Sequence, residues 1–167
     1  MYNFRSVEPI AVEESMELRK QYPLKFHKWL TGFSLAAGAV MNILNSFGFF
    51  TGNVYMTQGL TGWQVYRMFP ALQVVDFLYG FALIAMAVFA FKTRPRLAAF
   101  KKEGPEWLLR YYKADMGVSL GYALLYSASV GSFSGILSSI MAELITTGLT
   151  IWLTKKYYDK RQVLFVD

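Results

Sequence analysis

"SSIMAELITTGLTIWLTKK", Ser138–Lys156, is the stretch on which the fold turns. Between Ser138 and Thr154 its only charged residue is Glu143, and the run ends on the lysine pair Lys155–Lys156. About twenty mostly apolar residues, at 1.5 Å each in a helix, match a hydrocarbon core roughly 30 Å thick. The stretch therefore reads as a membrane-spanning helix that carries a carboxylate in its middle, where no water is available to solvate it.

Working outward, three more runs of this kind appear. The spans are expected at about Lys28–Phe50, Pro70–Phe91, Tyr112–Val130 and Gly135–Thr154. The fold class is all-α: a polytopic membrane protein with four transmembrane helices in one bundle. Residues 1–167 form a single domain, with an N-terminal segment over 1–27 and a basic tail over 155–167. The first run is longer than the core of a signal peptide and is expected to stay in the mature chain. A composition that is 54% hydrophobic and 17% aromatic, with four Trp and eleven Tyr, supplies both the spans and the belts at their two ends.

The net charge of +6 is not spread like that of a nucleic-acid binder. Of the seventeen Lys and Arg, all but Arg67 fall in, or within two residues of, the N-terminal segment, the central linker or the tail. Basic residues on alternate connections mark the cytoplasmic side. Both termini are thus expected in the cytoplasm, with the basic clusters against anionic headgroups and the chain in a plasma or inner membrane. The absence of Cys excludes disulfides and thiolate ligands, and the single His27 excludes a one-chain zinc or bis-histidine haem site. No metal, cofactor, catalytic residue or nucleic-acid partner is assigned.

The connections carry their own signals. In "TGNVYMTQGLTGWQVYRMFP", Thr51–Pro70, Thr61 followed by Gln64 has the form of a capping box. It opens either a short interfacial helix or an irregular loop rich in aromatics. "GSFSG", residues 131–135, is a tight turn between the last two spans. In "LAAFKKEGPEWLL", residues 97–109, the Gly104–Pro105 pair breaks the chain and Glu106 suits a helix start. Residues 10–22 have the composition of a short surface helix.

At 100° per residue each span divides into a small, polar stripe and an apolar face. Within about 60° of Glu143 lie Ser132, Ser139, Thr146, Thr147 and Thr150, opposite Leu137, Met141, Ile145 and Trp152. Asp76 shares its arc with Gln73, Tyr79 and Gly80. Span one gathers Thr31, Gly38, Asn42, Asn45 and Ser46, and span three gathers Asp115, Ser119, Tyr122 and Tyr126. Lipid cannot satisfy such groups, so the stripes should face one another or a partner chain. An intramembrane acid costs at least ~3 kcal/mol on insertion scales. Three fates are open to Glu143: a neutral structural carboxyl, a cation ligand, or the mate of a basic group on another subunit.

The candidate polar site is accordingly Glu143, Asp76, Asn42, Asn45, Asp115, Tyr122 and Tyr126. Two functions fit it. One is a non-enzymatic accessory, regulatory or assembly partner of another membrane protein, or a homo-oligomer. The other is a small proton- or cation-handling transporter or channel. An outward-facing stripe favours the first, and stripes converging on a cavity favour the second.

Overall fold

Residues 12–133 and 136–166 are described in a computed structural model of the chain, which is all-helical. α1 runs over Val12–Gln21, α2 over Lys25–Trp29, α3 over Leu35–Thr51, α4 over Gly62–Met68, α5 over Pro70–Ala98, α6 over Gly104–Val130 and α7 over Leu137–Asp159. A π-helical turn, Leu30–Ser34, joins α2 to α3, so Lys25–Thr51 forms one continuous 27-residue rod. That rod, α5 and α7 are long and apolar enough to cross a membrane. α6 has 27 residues, with Glu106, Arg110, Lys113 and Asp115 all in its first half.

The helices are longer than the apolar runs that announced them. α5 continues seven residues past Phe91 and through Pro95, and α7 continues five residues past Thr154. Hydropathy marks where the hydrocarbon would end, whereas a helix ends only where capping or a breaker stops it. α6 begins at the Gly104–Pro105 pair with Glu106 in its first turn, as the sequence implied. Gly135 lies outside the described residues, as do residues 1–11.

Packing follows chain order: α3 lies along α5, α5 along α6, and α6 along α7. Two apolar clusters hold this row together. The inner one joins Leu30, Leu35 and Ala39 to Met86, Ala87, Ala90, Leu97 and Leu108. The outer one joins Tyr55 and Val65 of the connection to Leu72 and Val75 of α5. Gly80 admits the Phe50 ring so closely that a Cβ there would come within 2.6 Å of it.

The connection between α3 and α5 is built rather than loose. Gly52, at φ +71°, ends α3 in the left-handed region that favours glycine, and a 3-10 turn follows over Asn53–Gln58. The capping box then forms: the Gln64 amide donates to Thr61 Oγ1 at 3.3 Å, and the Thr61 amide donates to Gln64 Oε1 at 2.8 Å. α4 is the result, so the helical reading of this segment holds. Its start packs backbone to backbone on Gly52, where a Cβ would meet the Gly62 Cα at 2.6 Å.

The end of the row that carries α1 and Phe100 is closed by Leu164, Phe165 and Val166. Leu164 and Phe165 are buried, and the Val166 amide donates to the Phe100 carbonyl at 3.0 Å. Arg19 of α1 donates to the Leu164 carbonyl at 3.1 Å and stacks over the Phe100 ring. Over the described residues, the basic segment after Thr154 continues α7 to Asp159 and then runs as a docked strap, because Leu164 and Phe165 supply apolar area that the neighbouring cluster buries.

Candidate functional site

Asp76 is completely buried one and a half turns into α5. Three tyrosines from three different elements converge on it. Tyr55 of the 3-10 turn donates to Oδ2 at 2.6 Å, Tyr66 of α4 donates to the same oxygen at 3.0 Å, and Tyr122 of α6 donates to Oδ1 at 3.0 Å. A buried carboxylate has room for several donors, and phenols supply them without adding a counter-charge. Burial and then the neighbouring Asp76 push the Tyr55 and Tyr66 phenols well above their ordinary range. Both therefore stay protonated as donors.

The cage is framed by aromatic contact. Tyr122 stacks on Tyr79 at 4.1 Å between ring centroids, meets Phe49 edge-on at 5.4 Å, and lies 5.9 Å from Tyr126. Sequence reasoning named Asp76, Tyr122 and Tyr126 but missed Tyr55 and Tyr66. Their signal was the alternation of Tyr with apolar residues in a connection too long for a hairpin. Gln73, placed on the Asp76 arc by helical spacing, is exposed. It precedes Asp76 by three residues and lies on the edge of the α5 face that α3 and α6 cover.

At middle depth the remaining polar residues form a looser layer. Asn42 is half-buried with the Tyr111 hydroxyl facing it, and Tyr79 faces Ser119. Asp115 and Glu143 are both half-buried and within electrostatic reach of each other across the α6–α7 contact. Thr147 donates to Glu143 Oε1 at 2.8 Å, so the carboxylate is held from its own helix. Asn45, expected on the inward stripe, is exposed instead. It lies about 100° around the helix from Ser46, off the buried ridge of Leu35, Ala39 and Ser46.

α7 itself divides along its length. Thr154 and Tyr158 are buried, and Glu143 and Thr147 are half-buried, while Ser139, Thr146 and Thr150 are exposed. Thr146 and Thr150 donate back to the carbonyls of Ala142 and Thr146. Eighteen residues make five turns, so Ser139 shares the azimuth of Tyr157, and Thr146 and Thr150 fall within about 20° of it. Tyr157 is where α7 meets the start of the first rod, edge-on to Phe26 at 4.9 Å and donating to the Pro23 carbonyl at 3.3 Å. The uncovered hydroxyls thus share the azimuth at which α7 touches Pro23 and Phe26, one level further along the helix. The opposite face, with Leu137, Met141, Ile145 and Trp152 all exposed, is purely apolar.

At the inner end, His27 is buried with Nδ1 3.2 Å from the Tyr158 hydroxyl and its ring stacked 4.4 Å from Phe100. The π turn beside it presents the Thr31 carbonyl to Arg94, whose Nε donates at 2.7 Å. No protein-family model, curated protein or solved structure matches the chain, so its function rests on the chemistry of these sites.

Proposed function

We propose that this chain is an integral membrane protein of four spans with both ends cytoplasmic. It acts without catalysis as an accessory or assembly subunit of another membrane protein, or of an assembly of its own copies. Three helices of sufficient length and apolarity support the membrane reading, and α6, about 40 Å long at 1.5 Å per residue, has the reach for a fourth crossing. The confinement of Lys and Arg, Arg67 excepted, to alternate connections supports the orientation.

The observation that carries the functional reading is the exposed hydroxyl edge of α7, Ser139, Thr146 and Thr150, together with the exposed Asn45 amide. Thr146 and Thr150 donate within their own helix, but their oxygens can still accept, and a polar edge beside an apolar one suits a second helix better than lipid. Ser, Thr and Asn side chains instead let a further helix approach closely and exchange hydrogen bonds, each worth about 0.6 kcal/mol and up to about 1.7. The test is purification from native membranes of wild type and of Thr146→Leu/Thr150→Leu. The wild type should carry a stoichiometric partner, or a second copy, that the variant loses at unchanged thermal stability. A variant that retains the same complex would refute the reading.

The proximity of Asp115 and Glu143 favours a second reading, proton or cation handling. Under it, Glu143→Gln in proteoliposomes would abolish flux while leaving the fold intact.

A further inference from the structure

We infer that Arg161–Val166 is a releasable latch: docked, it clamps α1 to the bundle and covers an aromatic floor of His27, Phe100 and Tyr158. The inference goes beyond the accessory reading and does not depend on what α7 meets.

The latch is built on a strained residue. α5 ends in a Schellman turn, in which the Lys101 amide donates to the Arg96 carbonyl and the Phe100 amide to the Leu97 carbonyl, both at 3.0 Å. Such a turn needs one left-handed residue, usually glycine, and here Phe100 takes the position at φ +55°. A side chain in that region is penalised, so the position is kept by what its ring contacts. The ring stacks on His27 at 4.4 Å, tilts against Phe165 at 5.3 Å and carries the Arg19 guanidinium at 4.1 Å. The Phe100 carbonyl accepts from the Val166 amide at 3.0 Å, beside an isolated parallel bridge between Lys101 and Val166. Phe165 lies edge-on to both His27 and Tyr158, which are buried.

α1 depends on the same hub. Its ten residues are too few to stay helical in isolation. Of the other helices and turns, it lies chiefly against the 3-10 turn Gln162–Leu164, and Arg19 donates to the Leu164 carbonyl at 3.1 Å. Arg161 makes a second tie, to the Pro23 carbonyl between α1 and α2 at 3.4 Å. Both ties are incompletely satisfied. Among the described residues, the buried side-chain nitrogens without a hydrogen bond are Arg19 Nε and Arg161 Nε, one in each tie. A strained backbone and two orphaned donors in one place mark an arrangement held against its own costs by the burial of Leu164 and Phe165. Opening returns both donors to water and lets Phe100 leave the left-handed region. The cluster of Tyr55, Val65, Leu72 and Val75 contains none of these residues and is untouched by the opening.

The experiment is hydrogen–deuterium exchange of the full chain in nanodiscs, comparing wild type with Phe100→Gly and Phe165→Ala. Glycine suits the left-handed turn, so Phe100→Gly relieves the end of α5 while removing the hub ring. In both variants α1 and Leu164–Val166 should exchange faster together, by about tenfold or more, with the amides of Leu72–Met86 within about twofold of wild type. A strap that opens while α1 stays protected would overturn the latch, as would opening that spreads into Leu72–Met86. Unchanged exchange of α1 and the strap in both variants would overturn it as well. Co-purification and crosslinking at α7 do not enter these measurements, so failure of the accessory reading would be visible separately.

Discussion

Replacing Tyr55 by Phe removes one hydroxyl from a fully buried cage and changes nothing else in shape. That hydroxyl makes the shortest of the three bonds to Asp76, 2.6 Å, from a residue only 4% exposed. Hydrogen bonds to charged groups contribute about 1.5–3 kcal/mol, and Asp76 would keep two donors, so a loss near 2 kcal/mol is expected. For a chain of this size that corresponds to a drop of roughly 4–8 °C in Tm. Asp76→Leu is more severe because it removes the shared acceptor of three phenols at once. Tyr66 retains the Phe49 carbonyl at 3.4 Å, but Tyr55 and Tyr122 lose their carboxylate acceptor. About 3–5 kcal/mol should be lost. The assay is thermal unfolding in detergent, arranged as a double-mutant cycle. Once Asp76 is Leu, Tyr55→Phe should cost little or become favourable, giving a coupling of at least about 1 kcal/mol. Additive losses in the double variant, or a Tyr55→Phe cost below about 0.5 kcal/mol, would show that the cage does not hold the outer connection to the bundle.

Other outcomes follow from the same geometry. Gly80→Leu should destabilise by about 3 kcal/mol, since its Cβ would lie 2.6 Å from the Phe50 ring, while exposed Ala85→Leu should stay within about 0.5 kcal/mol by the same melt. Gly52→Ala should cost about 2 kcal/mol or more, through its positive φ and the Gly62 backbone facing it, measured as a lower Tm. Leu164→Ala, at a fully buried position in the C-terminal strap, should cost about 2–3 kcal/mol, whereas a free tail would show no change. Reporter fusions near Lys101 should give a cytoplasmic signal and those near Gly59 an external one. An external signal at Lys101 would overturn the four-span topology.

The long helices were legible because apolar runs of spanning length leave few alternatives, and the Thr61–Gln64 box was legible because its chemistry is local. Faces were legible only in part. Helical spacing ranks residues around an axis but cannot say how wide an arc the neighbours cover, and so it placed Gln73 and Asn45 inside. The π turn adds a second obstacle, since it rotates everything before Leu30 relative to α3. The Asp76 cage stayed hidden for a different reason. Two of its three donors come from the connection, and no periodicity links a loop residue to a position on a helix. Glu143 drew attention as the acid in the middle of a span, yet the fully buried carboxylate is Asp76, and Glu143 is held by a threonine of its own helix. Composition marked residues 155–167 as basic but could not say that Phe165 packs on Phe100 and Tyr158, a contact between residues far apart in sequence.

If the hydroxyl edge of α7 meets another protein, position 150 lies within crosslinking reach of it. A photo-crosslinking side chain installed at position 150, activated in native membranes, tests this most directly. One discrete protein adduct is expected, either a second copy of the chain or a single partner, lost when Thr146→Leu is added. Crosslinks to lipid alone, with no protein adduct at any yield, would contradict it.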